Sequence, residues 1–507
     1  MRDVLVLVDA KPQAWAGQTI FALRSAGVRL RIERESRSYE GLWARFVRAC
    51  AGAALRTVSV TGPFGSGASC EADLCIDLRT TARLHGMRSV RAAETWFFQI
   101  GRQRDGVAAF DNVLAADESI DVRLVARRGV ELRELRYGRF PSASCLARTL
   151  TRIFAECAQW PQRELLLPTP WEDTRLLEAL SHQKASIGWL DAARFLWLDI
   201  TRLARYAMRF VFEEARWDVA VTSMPIESFI ADPQGAWLHW IARNRREFLA
   251  DPFLAERSDG RPQLLCETLN GVTPGIVAID LDDRFGERTP ILDGNGPASY
   301  PYVFDVDGES WLIPERAARC RLDAYRLADT QTDLGERMLD GIAAVDPTIV
   351  EYGGRWWLFC TDHRHGPNYA LRIYWSKHPR GPWYAHADNP VKIDIAGARP
   401  GGTPFVRDGV LYRPAQDCTG RYGHAITVHR IDVLTPERFR ESRVARIDAA
   451  MLNRKGAIGV HTLSFGHGWV AVDAQFVRWS LRKPLHLALS RVRIRHADRH
   501  APVAVPT

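Results

Sequence analysis

Five stretches of this chain pair a strand opening on a polar residue with a strand closing on an acidic one. They are ADPFLAERSDGRPQLLCE, SYPYVFDVDGESWLIPE, VDPTIVEYGGRWWLFCTD, GTPFVRDGVLYRPAQD and GVHTLSFGHGWVAVDA. The opening residues are Asp251, Tyr300, Asp346, Thr403 and His461, and Pro follows in four of the five. The closing residues are Glu267, Glu315, Asp362, Asp417 and Asp473. Two carboxylates facing one pocket can divide acid and base roles in glycoside chemistry, so Asp251 and Asp346 are the first candidates. Glu315 follows the apolar run Trp311–Pro314, which makes it the candidate acid with a raised pKa, and Glu267 is an alternative. An Asp before Pro also commonly caps a turn, so a structural role stands beside the chemical one. Tyr302, Trp311, Trp356, Tyr412 and Tyr422 could stack on sugar rings, although most aromatics in such repeats belong to the core. His363 and His365 form an incomplete metal set with no nearby Cys and read as loop residues.

Converging these residues requires a ring. The hairpins recur roughly every 45–60 residues, the period of a propeller blade. Each is followed by further strand-like segments, including Gly275–Ile279, Asp323–Leu327, Leu371–Trp375 and Ala425–Arg430. The spacing predicts a five-bladed all-β propeller over 216–495, with Asp251, Tyr300, Asp346, Thr403 and His461 around one mouth. Trp217–Thr222 precedes the first hairpin and is predicted to complete the last blade, leaving no open sheet edge.

Residues 1–160 alternate strand and helix signals and predict a Rossmann-like α/β domain. Strands are expected at Val4–Val8, Val28–Ile32, Leu74–Leu78, Trp96–Ile100 and Val122–Ala126, and a helix at Gln13–Ser25, opened by Pro12 and ended by Gly27. The glycines of TGPFGSGAS match neither dinucleotide-binding nor Walker spacing and read as a loop. Residues 161–215 form a helical linker ending in a long amphipathic helix over 187–214. That helix is expected to bridge two domains, and its Arg-bearing stripe would also let it lie on an anionic membrane. The tail, 496–507, is expected to be disordered.

Hydrophobic residues make up 46% of the 507, which excludes a disordered chain. The net charge of +8 is not gathered into Lys/Arg runs, so nucleic acid is not an expected partner. The nine cysteines form no CxxC pair and predict reduced thiols in a cytoplasmic protein. The strand-like N-terminus does not read as a signal peptide.

Two resemblances extend this reading. ADPF and VDPTIVEYGGRWWLF resemble the five-bladed propeller of glycoside hydrolase family 43. That resemblance implies Asp251 as base, Asp346 as the residue tuning the acid, and His461 beside a central cation. The fourth-blade Glu of that family is replaced by Gly402 in ARPGGTPF, which argues against ordinary hydrolysis. FLADPFL, SYPYVF, WLIPE, DPTIVEYGGRWWLF, GPWYAHADNPV, ARPGG and LYRPAQDCTGRYGHAI resemble the N-terminal domain of plant glucosamine inositolphosphorylceramide transferases and its bacterial relatives. The resemblance implies a carbohydrate or glycoconjugate ligand and a role in surface polysaccharide or glycolipid synthesis, and the repeat positions, with Arg399 of ARPGG, make Glu267, Tyr300, Asp362, Arg399, Thr403, Asp417 and His461 the candidate binding residues. The plant transferase domain itself is not matched. Residues 1–160 are similar to a formyltransferase-like domain, with TWFFQIG where those enzymes carry Asn-x-His, so formyl transfer is not expected. The alternatives are a non-catalytic protein scaffold and a hydrolase with a relocated acid.

Overall fold

The computed structural model describes residues 2–9, 13–34, 71–79, 91–101, 112–143, 145–178 and 189–481, apart from short loops at 242–247, 258, 271–272, 282–284, 286, 293–295 and 330–334. The sequence also predicts a helix at Tyr39–Ala54 and a strand at Thr57–Val60; these, the TGPFGSGAS loop and the tail lie outside the described residues.

The N-terminal sheet holds β1 (Asp3–Val8), β2 (Arg29–Arg34), β3 (Glu71–Asp77), β4 (Arg91–Ile100), β5 (Ser119–Arg128) and β6 (Glu131–Pro141), in the spatial order β6-β5-β4-β3-β1-β2. β2, β1, β3 and β4 run parallel, and β5 and β6 add antiparallel. The apolar run Val4–Val8 is buried along its whole length, as a central parallel strand requires. Helix α1 (Ala14–Arg24) seals one face through Trp15, Ile20 and Leu23, and Trp15 stacks on Phe154 of α2 (Leu146–Cys157) at 5.1 Å. The short α3 (Trp160–Leu166) is the helix expected after residue 160. The five expected strands are all present. β6 was not anticipated, because its alternating charges hide a strand that is only half-buried.

After β7 (Arg175–Leu176) comes α4 (Trp189–Phe212), then β8 (Glu213–Thr222), α5 (Ile226–Ala231) and β9 (His239–Trp240). The long helix ends two residues before the predicted limit, because Glu213 and Glu214 already pair with Trp479 and Arg478 near the end of the chain's last described strand. It is not packed between two bodies as expected. Phe195 is its one fully buried side chain.

The remainder is a propeller-like arrangement of antiparallel sheets. One four-stranded sheet is β10 (Leu249–Glu256), β11 (Pro262–Asn270), β12 (Thr273–Asp280) and β13 (Thr289–Ile291). The next is β14 (Ser299–Val306), β15 (Glu309–Glu315), β16 (Arg321–Arg326) and β17 (Glu336–Asp340). The third repeat gives β18 (Ala344–Tyr352), β19 (Arg355–Asp362), β20 (Ala370–Ser376), β21 (Tyr384–Ala385) and β22 (Lys392–Asp394). A further four-stranded sheet is β23 (Phe405–Arg407), β24 (Val410–Asp417), β25 (Ala425–Leu434) and β26 (Phe439–Asp448). The last holds β27 (Leu463–Gly466), β28 (Trp469–Trp479), β8 and β9 in that order. The early strand at 217–222 therefore joins the final hairpin, as the closure argument required.

Four of the five repeats stand as separate four-stranded sheets, and the third does not. Its β22 pairs with β20 on one side and, in parallel, with β6 on the other, making one twelve-stranded sheet with the N-terminal strands. The approach is tight at Gly138, where a Cβ would stand 3.1 Å from side-chain atoms of Ile393 and Phe140. Arg136 clamps Asp388 with bonds of 2.9 and 3.1 Å, and Phe140 meets Tyr369 at 5.8 Å. Buried residues of both parts share one core.

Candidate active site

The first three hairpins carry the same irregularity. The β10–β11 ladder slips between Ala250 and Phe253, β14–β15 between Ser299 and Tyr302, and β18–β19 between Val345 and Thr348. At these bulges Asp251, Tyr300 and Asp346 have φ of +48°, +47° and +48°. Each precedes a Pro, which has no N–H to give the ladder and is tolerated at a bulge. A non-glycine residue in this region stores about 1–3 kcal/mol of strain, and the bulge re-aims its side chain off the ordinary pleat. All three are buried.

Asp346 is held by three partners. Arg399 donates to it through Nε at 2.5 Å and Nη2 at 3.0 Å, and Gln416 Nε2 donates at 2.6 Å. Arg399 also reaches Asn368 at 3.0 Å and lies 4.8 Å from the centre of the Tyr422 ring. From the neighbouring sheet, Glu315 accepts the Asp346 backbone N–H at 3.1 Å. Burial and the adjacent Asp346 carboxylate raise the Glu315 pKa to about 8, against the opposing pull of Arg399, so this acid is protonated at neutral pH.

Asp251 accepts a 2.7 Å bond from Thr462 Oγ1 and lies 3.5 Å from His461 Nε2. The other ring nitrogen, Nδ1, is 2.5 Å from Asp473, which also accepts the backbone N–H groups of Asp251, His461 and Thr462. Burial disfavours charge on His461, but Asp473 and Asp251 outweigh it and raise its pKa. Trp217 stacks flat on this ring at 3.7 Å, a geometry suited to an imidazolium. Burial raises the Asp251 pKa, with His461 opposing and Asp346 and Asp473 adding to the rise. Glu267 is pushed well above the usual carboxylate range by burial, by the Asp251 charge and by a hydrogen bond to Asp251. Glu315 and Asp346 act on it too, which places all four carboxyl groups in one electrostatic neighbourhood.

Asp251, His461 and Asp473 lie close enough together to suggest a cation site. Two carboxylates and an imidazole are the donors a cation would use, and the His461 ring nitrogens already face Asp251 at 3.5 Å and Asp473 at 2.5 Å.

The expected binding residues divide into two groups. Tyr300 lies at the centre of the ring, with its hydroxyl 3.1 Å from Thr348 Oγ1 and accepting the Gly402 N–H at 2.9 Å. Asp362 turns away, accepting the Arg364 N–H at 3.0 Å, and Asp417 caps the Thr419 N–H at 2.9 Å and pairs with Arg446. Both serve turns. The Thr403 backbone N–H donates to Leu463 at 3.1 Å, a strand-like contact outside the carboxylate cluster. Of the five aromatics considered, Tyr422 reaches the site. Tyr302 donates to the Ile349 carbonyl, Trp311 is core, Trp356 packs on Phe304 and Tyr412 stacks on Phe405. His363 and His365 lie in the turn after β19. Sequence reasoning missed Trp217, Gln416, Thr462 and Asp473 as site residues. Asp473 had a signal, because it closes the fifth hairpin where Glu267 and Glu315 close theirs.

Gly402 has φ +132°, and a Cβ there would lie 1.7 Å from the Leu463 carbonyl oxygen. No side chain fits at this position, so the carboxylate absent from the fourth repeat is sterically excluded.

A propeller-like ring with paired Asp and Glu side chains at its centre is the architecture these contacts define. Residues 240–467 match the family described as glucosamine inositolphosphorylceramide transferase 1, N-terminal. Glucosamine inositolphosphorylceramide transferase 1 of Oryza sativa subsp. japonica is 34% identical over 243 residues, covering 44% of this chain and 32% of that protein. The Arabidopsis thaliana protein of the same name is 37% identical over 209 residues, covering 39% and 27%. The chain thus matches about a third or less of these relatives' length. Among solved structures, a thermostable family-43 glycoside hydrolase aligns at 13% identity and TM-score 0.31, over 40% of this chain and 76% of that one. The catalytic domain of the Coprinopsis cinerea GH62 α-L-arabinofuranosidase aligns at 14% and 0.33, over 51% and 96%.

Proposed function

We propose that this protein acts on a glycan or glycoconjugate by acid–base chemistry at the Asp251–Asp346 pocket of a five-bladed propeller. The supporting observation is the pairing of protonation states: Glu267 and Glu315 are raised well above ordinary carboxylates, each beside an Asp. In this reading β18–β21 form the third blade, fused through β22 to the N-terminal sheet. Residues 1–160 are a Rossmann-like, formyltransferase-like unit retained as a support, 161–215 the helical linker and 216–495 the propeller.

Glu315 is the general acid. Its proton passes to the departing oxygen as the bond from that oxygen to the sugar's anomeric carbon breaks. Asp251, 3.5 Å from His461 Nε2, is the base. It takes the proton of an incoming hydroxyl whose oxygen forms the new bond to that carbon. Asp346, fixed by Arg399 and Gln416, holds Glu315 and keeps its proton in place. The incoming hydroxyl belongs to a second sugar or lipid-linked alcohol in a transfer, or to water in a hydrolysis with a relocated acid. The exclusion of a fourth-repeat carboxylate at Gly402 favours the transfer.

The test is turnover with glycosides and with sugar donors plus glycolipid acceptors. Asp251→Asn and Glu315→Gln should each lower the rate roughly 100-fold or more while leaving the fold intact. Folded variants with unchanged turnover, or no turnover together with sugar binding that ignores Asp251 and Asp346, would leave the scaffold reading in its place.

A further inference from the structure

Helix α4 is mounted the wrong way round for a soluble protein. Its contacts with the body are made by Phe195, which is fully buried, and by Leu198, which packs on the N-terminal core. Asp191, Asp199 and Arg202 are half-buried on the same side. The broad apolar face points away. Trp189 is 78% exposed, Trp197 68%, Ile200 62%, Leu203 47% and Leu196 43%. At 3.6 residues per turn these positions lie within one stripe, with Arg194 and Arg205 outside it. From Leu203 to Phe210 every residue is exposed.

The patch continues beyond the helix. Trp479 stacks on Phe212 and is 59% exposed, and Leu481 is 83% exposed. Their placement follows from register. The acidic ends of the second strands mark the pocket end of the propeller, and Asp473 is that residue in β28. β28 continues six residues past it to Trp479, which pairs with Glu213 immediately after α4. The helix is therefore attached at the same end of the propeller as the carboxylate cluster.

We infer that α4, with Trp479 and Leu481, is a docking surface for an anionic lipid bilayer. Three observations choose this occupant. The exposed charges on the helix are Arg194, Arg205 and Arg209, the last paired with Glu213 at 3.6 Å, while both of its acids are half-buried towards the body. The apolar stripe carries two Trp, whose rings suit the headgroup boundary. The helix is too charged to span: among the described residues no helix is long and apolar enough to cross a membrane. A basic amphipathic helix of this kind lies in the interface, with its apolar face below the headgroups and its Arg side chains against lipid phosphates. Pairing with a second copy would set two like-charged helices side by side. The inference goes beyond the proposed chemistry and stands without it, although docking at the pocket end would bring a membrane-borne acceptor to the site.

Flotation of the full chain with vesicles tests it. Vesicles of phosphatidylcholine with 30% phosphatidylglycerol, about one anionic lipid in three, should carry the protein at low salt, and pure phosphatidylcholine should carry at least ten-fold less. Trp197→Glu with Ile200→Glu should abolish flotation, and Arg194→Gln with Arg205→Gln should weaken it several-fold, with circular dichroism and melting temperature unchanged in both. Turnover on a soluble substrate is measured in parallel, so failure of the surface and failure of the pocket chemistry are separately visible. The inference is overturned by absent flotation of the wild type, by flotation insensitive to the Glu pair, or by a wild-type dimer in sedimentation that the Glu pair converts to monomer.

Discussion

Glu315→Gln should make the protein more stable above neutral pH while removing its proposed acid. Glutamine has the shape and hydrogen-bond pattern of a protonated glutamic acid. Its Oε1 can accept the Asp346 N–H, and its Nε2 can donate to the Asp346 carboxylate. The wild-type group has its pKa raised from 4.5 to about 8. A raised folded-state pKa means that the folded chain binds the proton more tightly than the unfolded chain does. The associated stability is fully present below 4.5 and is lost as pH rises through about 8. At about 1.4 kcal/mol per pH unit the full effect is about 5 kcal/mol, and screening by solvent at the partly exposed side chain reduces it to roughly 2–3 kcal/mol. The amide does not titrate. Urea unfolding of both proteins at pH 4.5 and pH 8.5 should therefore give nearly equal stability at the lower pH and an advantage of roughly 2–3 kcal/mol for the Gln variant at the higher. Glu267 titrates in the same direction but is present in both proteins. Parallel pH profiles, or a Gln variant less stable at pH 8.5, would refute the claim that Glu315 is held as a neutral acid.

Two further substitutions probe the same centre. Arg399→Met leaves the Asp346 charge buried without its bidentate partner and should cost about 3–5 kcal/mol in denaturant unfolding, with part recovered by adding Asp346→Asn. Gly402→Ala must move the Leu463 backbone and adopt a conformation that L residues rarely take. A loss of about 3 kcal/mol or more is expected, and a cost below about 1 kcal/mol would show that the 402–463 contact can relax.

The parts of the fold set by periodic hydrophobicity were legible in the sequence. The five hairpins, the N-terminal strands and the closing role of residues 217–222 all follow from repeats of apolar runs and turn residues. What was not legible depends on contacts between distant segments. The pairing of β22 with β6 rests on Gly138 and Ile393, which carry no local signal. The long helix was read as bridging two bodies because amphipathicity states that a stripe exists and not which way it faces. Within the site, repeat position correctly brought Asp251, Asp346, Tyr300, His461, Glu267 and Glu315 together. It could not separate them from Asp362 and Asp417, since the same strand-end acid either turns to the centre or caps its own turn. Gln416 lies one residue before the closing Asp417 of the fourth repeat, and its role, unlike that of Arg399, becomes visible only once the Asp346 carboxylate is placed.

The pairing of β8 with β28 also has a consequence during synthesis. Thr222 faces Val470, so this strand leaves the ribosome about 250 residues before its partner exists. At roughly 5–20 residues per second the apolar edge Val219–Val221 waits for tens of seconds with an open hydrogen-bonding side. An unpaired edge of that kind invites pairing with the wrong strand, including the same strand of another nascent chain. Slow translation, or truncation just before Trp469, should therefore raise the aggregated fraction far more than loss of a similar length from the N-terminus of the ring.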